Sequence, residues 1–204
     1  CIFNRFLLTG HTFITARDSL VAHLTCRGSR FQPALTTVGQ NSAEWEFQNE
    51  KSHRNFIRKY RSVVKHDEYM KPIVSPIYDI GVIVHGCDYV SLREFEPYFS
   101  TIYIETGIFI KNYIEFEQKN TLYDLTQRVK HITAEKKHDI IVEFDMAKIS
   151  KDDLLFLYHE LPYVLQQTEQ TGEFEYSIFK IQVNELNKLE MNLIIADKSG
   201  SFRE

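Results

Sequence analysis

The pattern of apolar and polar positions changes character twice along the chain, near residue 41 and near residue 72. Residues 1–40 show little periodicity and carry Gly10, Gly28, Pro33 and Gly39, which predicts a loosely structured arm with one short helix near 16–25. From Asn41 the pattern turns helical, and Asn41 with Glu44 three positions on has the form of a capping box. Phe56, Tyr60, Val63 and Val64 then fall on one stripe. Lys51, Arg54, Arg58, Lys59, Arg61 and Lys65 surround it, so 41–71 reads as an amphipathic basic helix. Pro72 and Pro76 mark its boundary.

Beyond that boundary the chain alternates between short elements. The run "DIGVIV" at 79–84 is continuously apolar, as expected of a buried central strand. Ser91 with Glu94 predicts the cap of a short helix ending near Pro97. In "TIYIETGIFIKNYIEFE", Ile102, Ile104, Ile108, Ile110, Ile114 and Phe116 share one parity. With a turn at Thr106-Gly107, this predicts two strands, 101–105 and 108–116. Leu122, Leu125, Val129 and Ile132 have helical spacing, with Asn120 as a candidate cap. Strand alternation returns in "IIVEFDM", and Ser150 with Asp153 forms another capping box before a helix that Pro162 should kink or end. "EFEYSIFKIQV" and "KLEMNLIIADK", flanking "NELN", predict a closing β-hairpin.

Composition changes this picture little. Of the 204 residues 43% are apolar and 25% charged, the proportions of a folded globular chain. No apolar run approaches the length of a membrane span, which predicts a chain without membrane contact and an intracellular location. Cys1, Cys26 and Cys87 are odd in number and scattered. They suggest a reducing compartment and offer no metal-ligand spacing. Charge is more informative, because residues 51–71 hold 7 basic and 2 acidic side chains whereas 72–204 hold 13 basic and 22 acidic. A basic helix thus adjoins an acidic remainder, able either to contact phosphates or to dock on that remainder in cis.

Two stretches resemble catalytic chemistry. His131 with Thr133, echoed by His23 with Thr25, has the His-x-Thr form of two-histidine phosphoesterases. That chemistry needs both pairs on strands facing one cleft, and His131 falls at the end of an expected helix. Asp139, Glu143 and Asp145 share one face of the "IIVEFD" strand, as the ligands of a two-metal phosphoryl-transfer site would in a palm-like enzyme. An amphipathic strand also puts polar residues on its wet face without any such role. No glycine-rich loop or phosphate-holding lysine accompanies them at motif strength, so neither metal nor cofactor is expected.

Residues 79–146 thus read strand, helix, strand, strand, helix, strand, the βαββαβ order of an α+β, ferredoxin-like domain. Their sequence resembles the RNA-recognition motif (RRM) family. The third strand of that family ends aromatic, Val or Ile, any, aromatic, matched here by Tyr113, Ile114, Glu115 and Phe116 before "EQKNTLYDL". The resemblance implies an atypical RRM-type domain over 72–148, preceded by the arm and the basic helix and followed at 149–204 by a helix and hairpin packed on it. It implies a sheet face of Phe109, Lys111 and Tyr113 that stacks bases, although Ile83 stands at the first-strand stacking position. The expectation is a non-enzymatic module that binds single-stranded RNA through Lys51, Arg54, Arg58, Lys59, Arg61 and Lys65 together with that face. The alternatives are a protein-interaction module within a larger assembly, with the acidic sheet or final hairpin as interface, and the enzyme using Glu143 and Asp145.

Overall fold

The structure, a computed structural model, describes residues 2–14 and 42–189. The expected helix at 16–25, His23, Thr25, Cys1, Cys26, the Asn41 cap and the second hairpin arm from Glu190 lie outside the described residues. Helix α1 (Ile2–Leu8) opens the chain, and α2 (Ala43–Tyr60) follows behind Ser42, whose side chain caps the Trp45 amide. A small antiparallel pair, β1 (Lys65–His66) and β2 (Pro72–Ile73), leads to the main sheet.

That sheet has six strands: β3 (Ile80–His85), β4 (Thr101–Ile104), β5 (Val129–His131), β6 (Ile140–Asp145), β7 (Gly172–Tyr176) and β8 (Phe179–Val183). Their order is β5-β4-β3-β6-β8-β7. The first four run parallel, and β8 and β7 join antiparallel as a hairpin. The protein is therefore mixed α and β, and the order within 79–146 is not the expected βαββαβ. The cause lies in one segment. Residues 108–116, expected as a strand, form α4 (Gly107–Glu117). Its isoleucines alternate, but Phe109, Ile110, Tyr113, Ile114 and Glu117 also repeat every three or four residues, and those are the positions turned inward. With a helix there, β4 and β5 have the length of chain that a parallel crossover needs.

Other local expectations shift for physical reasons. Helix α3 (Tyr89–Phe95) is capped by Asp88 accepting the Ser91 amide, three residues before the expected cap. The expected helix from Asn120 shrinks to α5 (Leu125–Arg128), because Val129–His131 find a parallel partner at the edge of β4. Ser150 and Asp153 do form the capping box of α6 (Lys151–Leu155). Pro162 does not end that helix. A π-helical turn at Phe156–Glu160 absorbs it, and Pro162 sits in the first turn of α7 (Leu161–Thr168). The hairpin turns at Ser177, whose φ is 52°, and so is formed by Gly172 and "EFEYSIFKIQV" rather than by that stretch and the one after "NELN".

Among the described residues, the helices that share the sheet's core lie on one side of it. Ile80, Val82, Val84, Ile102, Ile104, Val142 and Phe144 share a core with Leu92, Phe95, Tyr113, Leu125, Leu157 and Leu161. The other face carries no helix between β5 and β6, only the crossover 132–139. His138 anchors that crossover, with Nδ1 3.0 Å from Asp79 and Nε2 2.8 Å from the Tyr103 hydroxyl. A Cβ on Gly81 would stand 2.2 Å from the His138 ring, so the crossover lies this close only over glycine.

Candidate functional site

Two clusters of charge organise the molecule. The first contains four of the nine expected nucleic-acid contacts, Arg54, Arg58, Arg61 and Tyr113. Arg54, Arg58, Lys59 and Tyr60 are buried on α2, whereas a solvated basic face was expected. Arg58 donates from Nη2 to Glu96 Oε2 and to Glu117 Oε1, both at 2.7 Å. Arg54 Nε reaches Glu117 Oε1 at 2.9 Å and its Nη2 reaches the Tyr113 hydroxyl at 2.5 Å. Tyr113 in turn donates to Glu96 Oε2 at 2.8 Å, while Arg128 pairs with Glu96 Oε1 and donates to the Phe99 carbonyl at 2.7 Å.

Glu96 is completely buried. Burial alone would raise its pKa, but Arg128 and Arg58 hold it down to about 2. Burial and the neighbouring Glu96 carboxylate push the Tyr113 hydroxyl up. Arg61 is pushed down to about 9 by burial and by Arg128, still cationic at neutral pH, and donates to the Phe99 carbonyl. The cluster therefore fastens α2 to the turn after α3 and to the end of α4. Of the remaining expected contacts, Phe109 is half-buried against the core and Lys111 is exposed on α4, so no aromatic sheet face forms from these three residues. Lys51 and Lys65 are half-buried at opposite ends of the segment.

The second cluster is open, and it sits where the strand order reverses. β3 is followed by β4 on one side, while β6 returns on the other, so the carboxyl ends of β3 and β6 flank a topological switch point. His85 ends β3 there. Its Nδ1 is 2.8 Å from Glu105 Oε1, just beyond β4, and its Nε2 is 2.8 Å from Glu143 Oε1 on β6. A ring with a carboxylate at each nitrogen must donate from both, which is the imidazolium form. Both glutamates accordingly raise the His85 pKa, and His85 with the Gly86 amide holds the Glu105 carboxyl below its ordinary value.

Glu105 is held at a second point, because its Oε2 also accepts from the Gly86 N–H at 3.1 Å. Gly86 has φ 66°, the left-handed turn that lets the chain leave β3 with its amide aimed at Glu105. Asp145 ends β6 in the same row, its Oδ1 taking the Ala147 amide. From His85 and Glu143 a cleft of about 400 Å³ extends toward Lys148, Ser177 and Lys180. The Glu105 and Glu143 side chains are 44% and 43% accessible, and Asp145 is partly buried.

Glu143 and Asp145, singled out from sequence, are thus together at this edge. Asp139 is not, lying at the amino end of β6 where its carbonyl accepts the Asn184 amide at 2.8 Å. Among the described residues no three His, Cys, Asp or Glu side chains converge as a metal requires. His131 ends β5 opposite Ile104 and is bonded to Thr133 at 2.9 Å, and Cys87 is buried with its thiol pushed up to about 12. His85 and Glu105 were missed in the sequence. The available signal was an acid 20 residues after the end of a central strand. Among the described residues no helix is long and apolar enough to cross a membrane. Compared with known family models, curated proteins and solved structures, the chain matches none.

Proposed function

We propose that this chain is a small-molecule-binding α/β domain whose ligand carries vicinal hydroxyls, as a ribose does, and is held at the carboxyl edge by Glu105 and Glu143. The observation that carries it is the His85 bridge at the switch point, the position where open α/β sheets bind ligands. A carboxylate about 20 residues beyond the first βα turn is the group that accepts ribose hydroxyl bonds in such sheets. Glu105 stands 19 residues after Gly86 and is already oriented by it. Carboxylates accept and do not donate, which suits hydroxyl donors.

The ligand is a nucleoside rather than a nucleotide. Phosphates are bound at a glycine-rich turn and a helix N-terminus. Here only Gly86 precedes α3, and Asp88 already fills that helix start with its own carboxylate. The test is calorimetric titration with adenosine, 2′-deoxyadenosine and AMP. Binding of adenosine, loss with the deoxynucleoside and with Glu105→Gln, and no gain from phosphate support the reading; equal affinity for adenosine and deoxyadenosine contradicts it.

The RRM-type reading, with RNA on the basic helix and a partly aromatic sheet, draws less support from the same observations. It needs Arg54, Arg58 and Tyr113 free for phosphates and bases, and these three are mutually bonded beneath the surface. Phosphoryl transfer at Glu143 and Asp145 would need Glu143 released from His85.

A further inference from the structure

The two ends of the six-stranded sheet differ in what they leave unbonded. At one end β5 is three residues long, and much of its outer edge is used locally. The Val129 amide donates to the Leu125 carbonyl and the His131 carbonyl accepts the Ala134 amide. At the other end β7 is five residues long and exposed throughout. Among the described residues no strand pairs with its outer edge. An edge of that length presents a row of backbone donors and acceptors on which another strand can add.

The side chains of β7 state what would fit. Phe174 and Tyr176 lie on the helical face yet remain 37% and 50% exposed, with Tyr176 stacked at 4.0 Å on Phe156. On the opposite face Glu173 and Glu175 border a groove of about 400 Å³ that also holds Glu143, Lys180 and Gln182. Three carboxylates against one lysine leave that groove acidic. Pairing β7 with the β7 of a second copy would set Glu173 and Glu175 opposite like charges, which is unfavourable across a strand pair.

We infer that β7 is a strand-addition site for a partner's extended segment in which basic residues alternate with apolar ones. Its basic side chains enter the groove beside Glu173 and Glu175, and its apolar ones extend the Phe156–Tyr176 stack.

The test uses the full chain and a synthetic heptapeptide of alternating valine and lysine, with a valine–glutamate peptide as control. The lysine peptide is expected to bind and to slow hydrogen exchange at β7, and the glutamate peptide to bind on the order of tenfold more weakly or not at all. Glu173→Lys with Glu175→Lys should reverse that preference. Glu173→Gln with Glu175→Gln, which keeps the hairpin uncharged, should abolish it. Equal binding of both peptides, protection appearing away from β7, or no binding of the lysine peptide overturns the inference. So does concentration-dependent association of the wild type alone, which would assign the edge to a second copy.

Discussion

The arginine cluster beneath α2 and the histidine cluster at the carboxyl edge are made of the same materials, cations bridging glutamates, and they do opposite things. In the first, Arg58 and Glu96 have no solvent-accessible side-chain surface and each oxygen of Glu96 is already bonded. In the second, His85, Glu105 and Glu143 are about two-fifths accessible, so a ligand can exchange for a bond without leaving a charge stranded. Burial decides which ion pairs are scaffold and which are site. A buried pair is expensive to break because the remaining partner stays desolvated, whereas an exposed one contributes little to stability.

The largest expected effect comes from breaking the closed cluster. Glu96→Ala strands Arg58 and Arg128, and should cost about 3–5 kcal/mol in urea unfolding. The cluster also gives an acid dependence. The Glu96 pKa is depressed, so its contribution is complete above its ordinary range and is lost as pH falls toward about 2. Glu117, burial notwithstanding, is lowered by Arg58 and Arg54 and titrates in the same direction. Circular dichroism and Trp45 fluorescence should therefore report release of α2 on acidification below about pH 4.5, an effect reduced to the Glu117 share in an Arg58→Met, Glu96→Leu variant.

A smaller effect is expected at the second face of the sheet. Gly81→Ala drives a methyl into the His138 ring and should cost about 1–3 kcal/mol, while the pair Gly81→Ala with His138→Ala should cost less than the sum of the two singles. The smallest effect on stability belongs to the open cluster. His85→Gln should unfold within about 0.5 kcal/mol of wild type and yet lose nucleoside binding. Its raised pKa makes the bridge complete below about pH 6.5 and lost as pH rises through the higher folded value. Nucleoside binding should change over that same upper range while unfolding stability stays nearly flat.

What the sequence reveals follows the range of the forces involved. The strands β3 and β6 are legible because burial writes itself into neighbouring residues, as in Ile80–Val84 and in Ile140, Val142 and Phe144. The Ser150–Asp153 box is legible because cap and partner are three residues apart. α4 is not, since its isoleucines satisfy both a period of two and a period near 3.6, and only the tertiary need for a crossover decides. Arg54 and Arg58 mislead for a different reason. An amphipathic reading sends charges to water, and nothing local shows that Glu96 and Glu117 wait 38 to 63 residues downstream. Glu143 and Asp145 were found as a pair on one strand face; His85 and Glu105 escaped because the site is assembled from three strand ends.

The central claim is that the open cluster, not the basic helix, is where this protein meets its ligand. The most direct measurement is an amide chemical-shift titration of the ¹⁵N-labelled chain with adenosine. Saturable shifts centred on His85, Gly86, Glu105 and Glu143 are expected, with α2 unmoved. Shifts confined to residues 51–65, or none at millimolar adenosine, would contradict it.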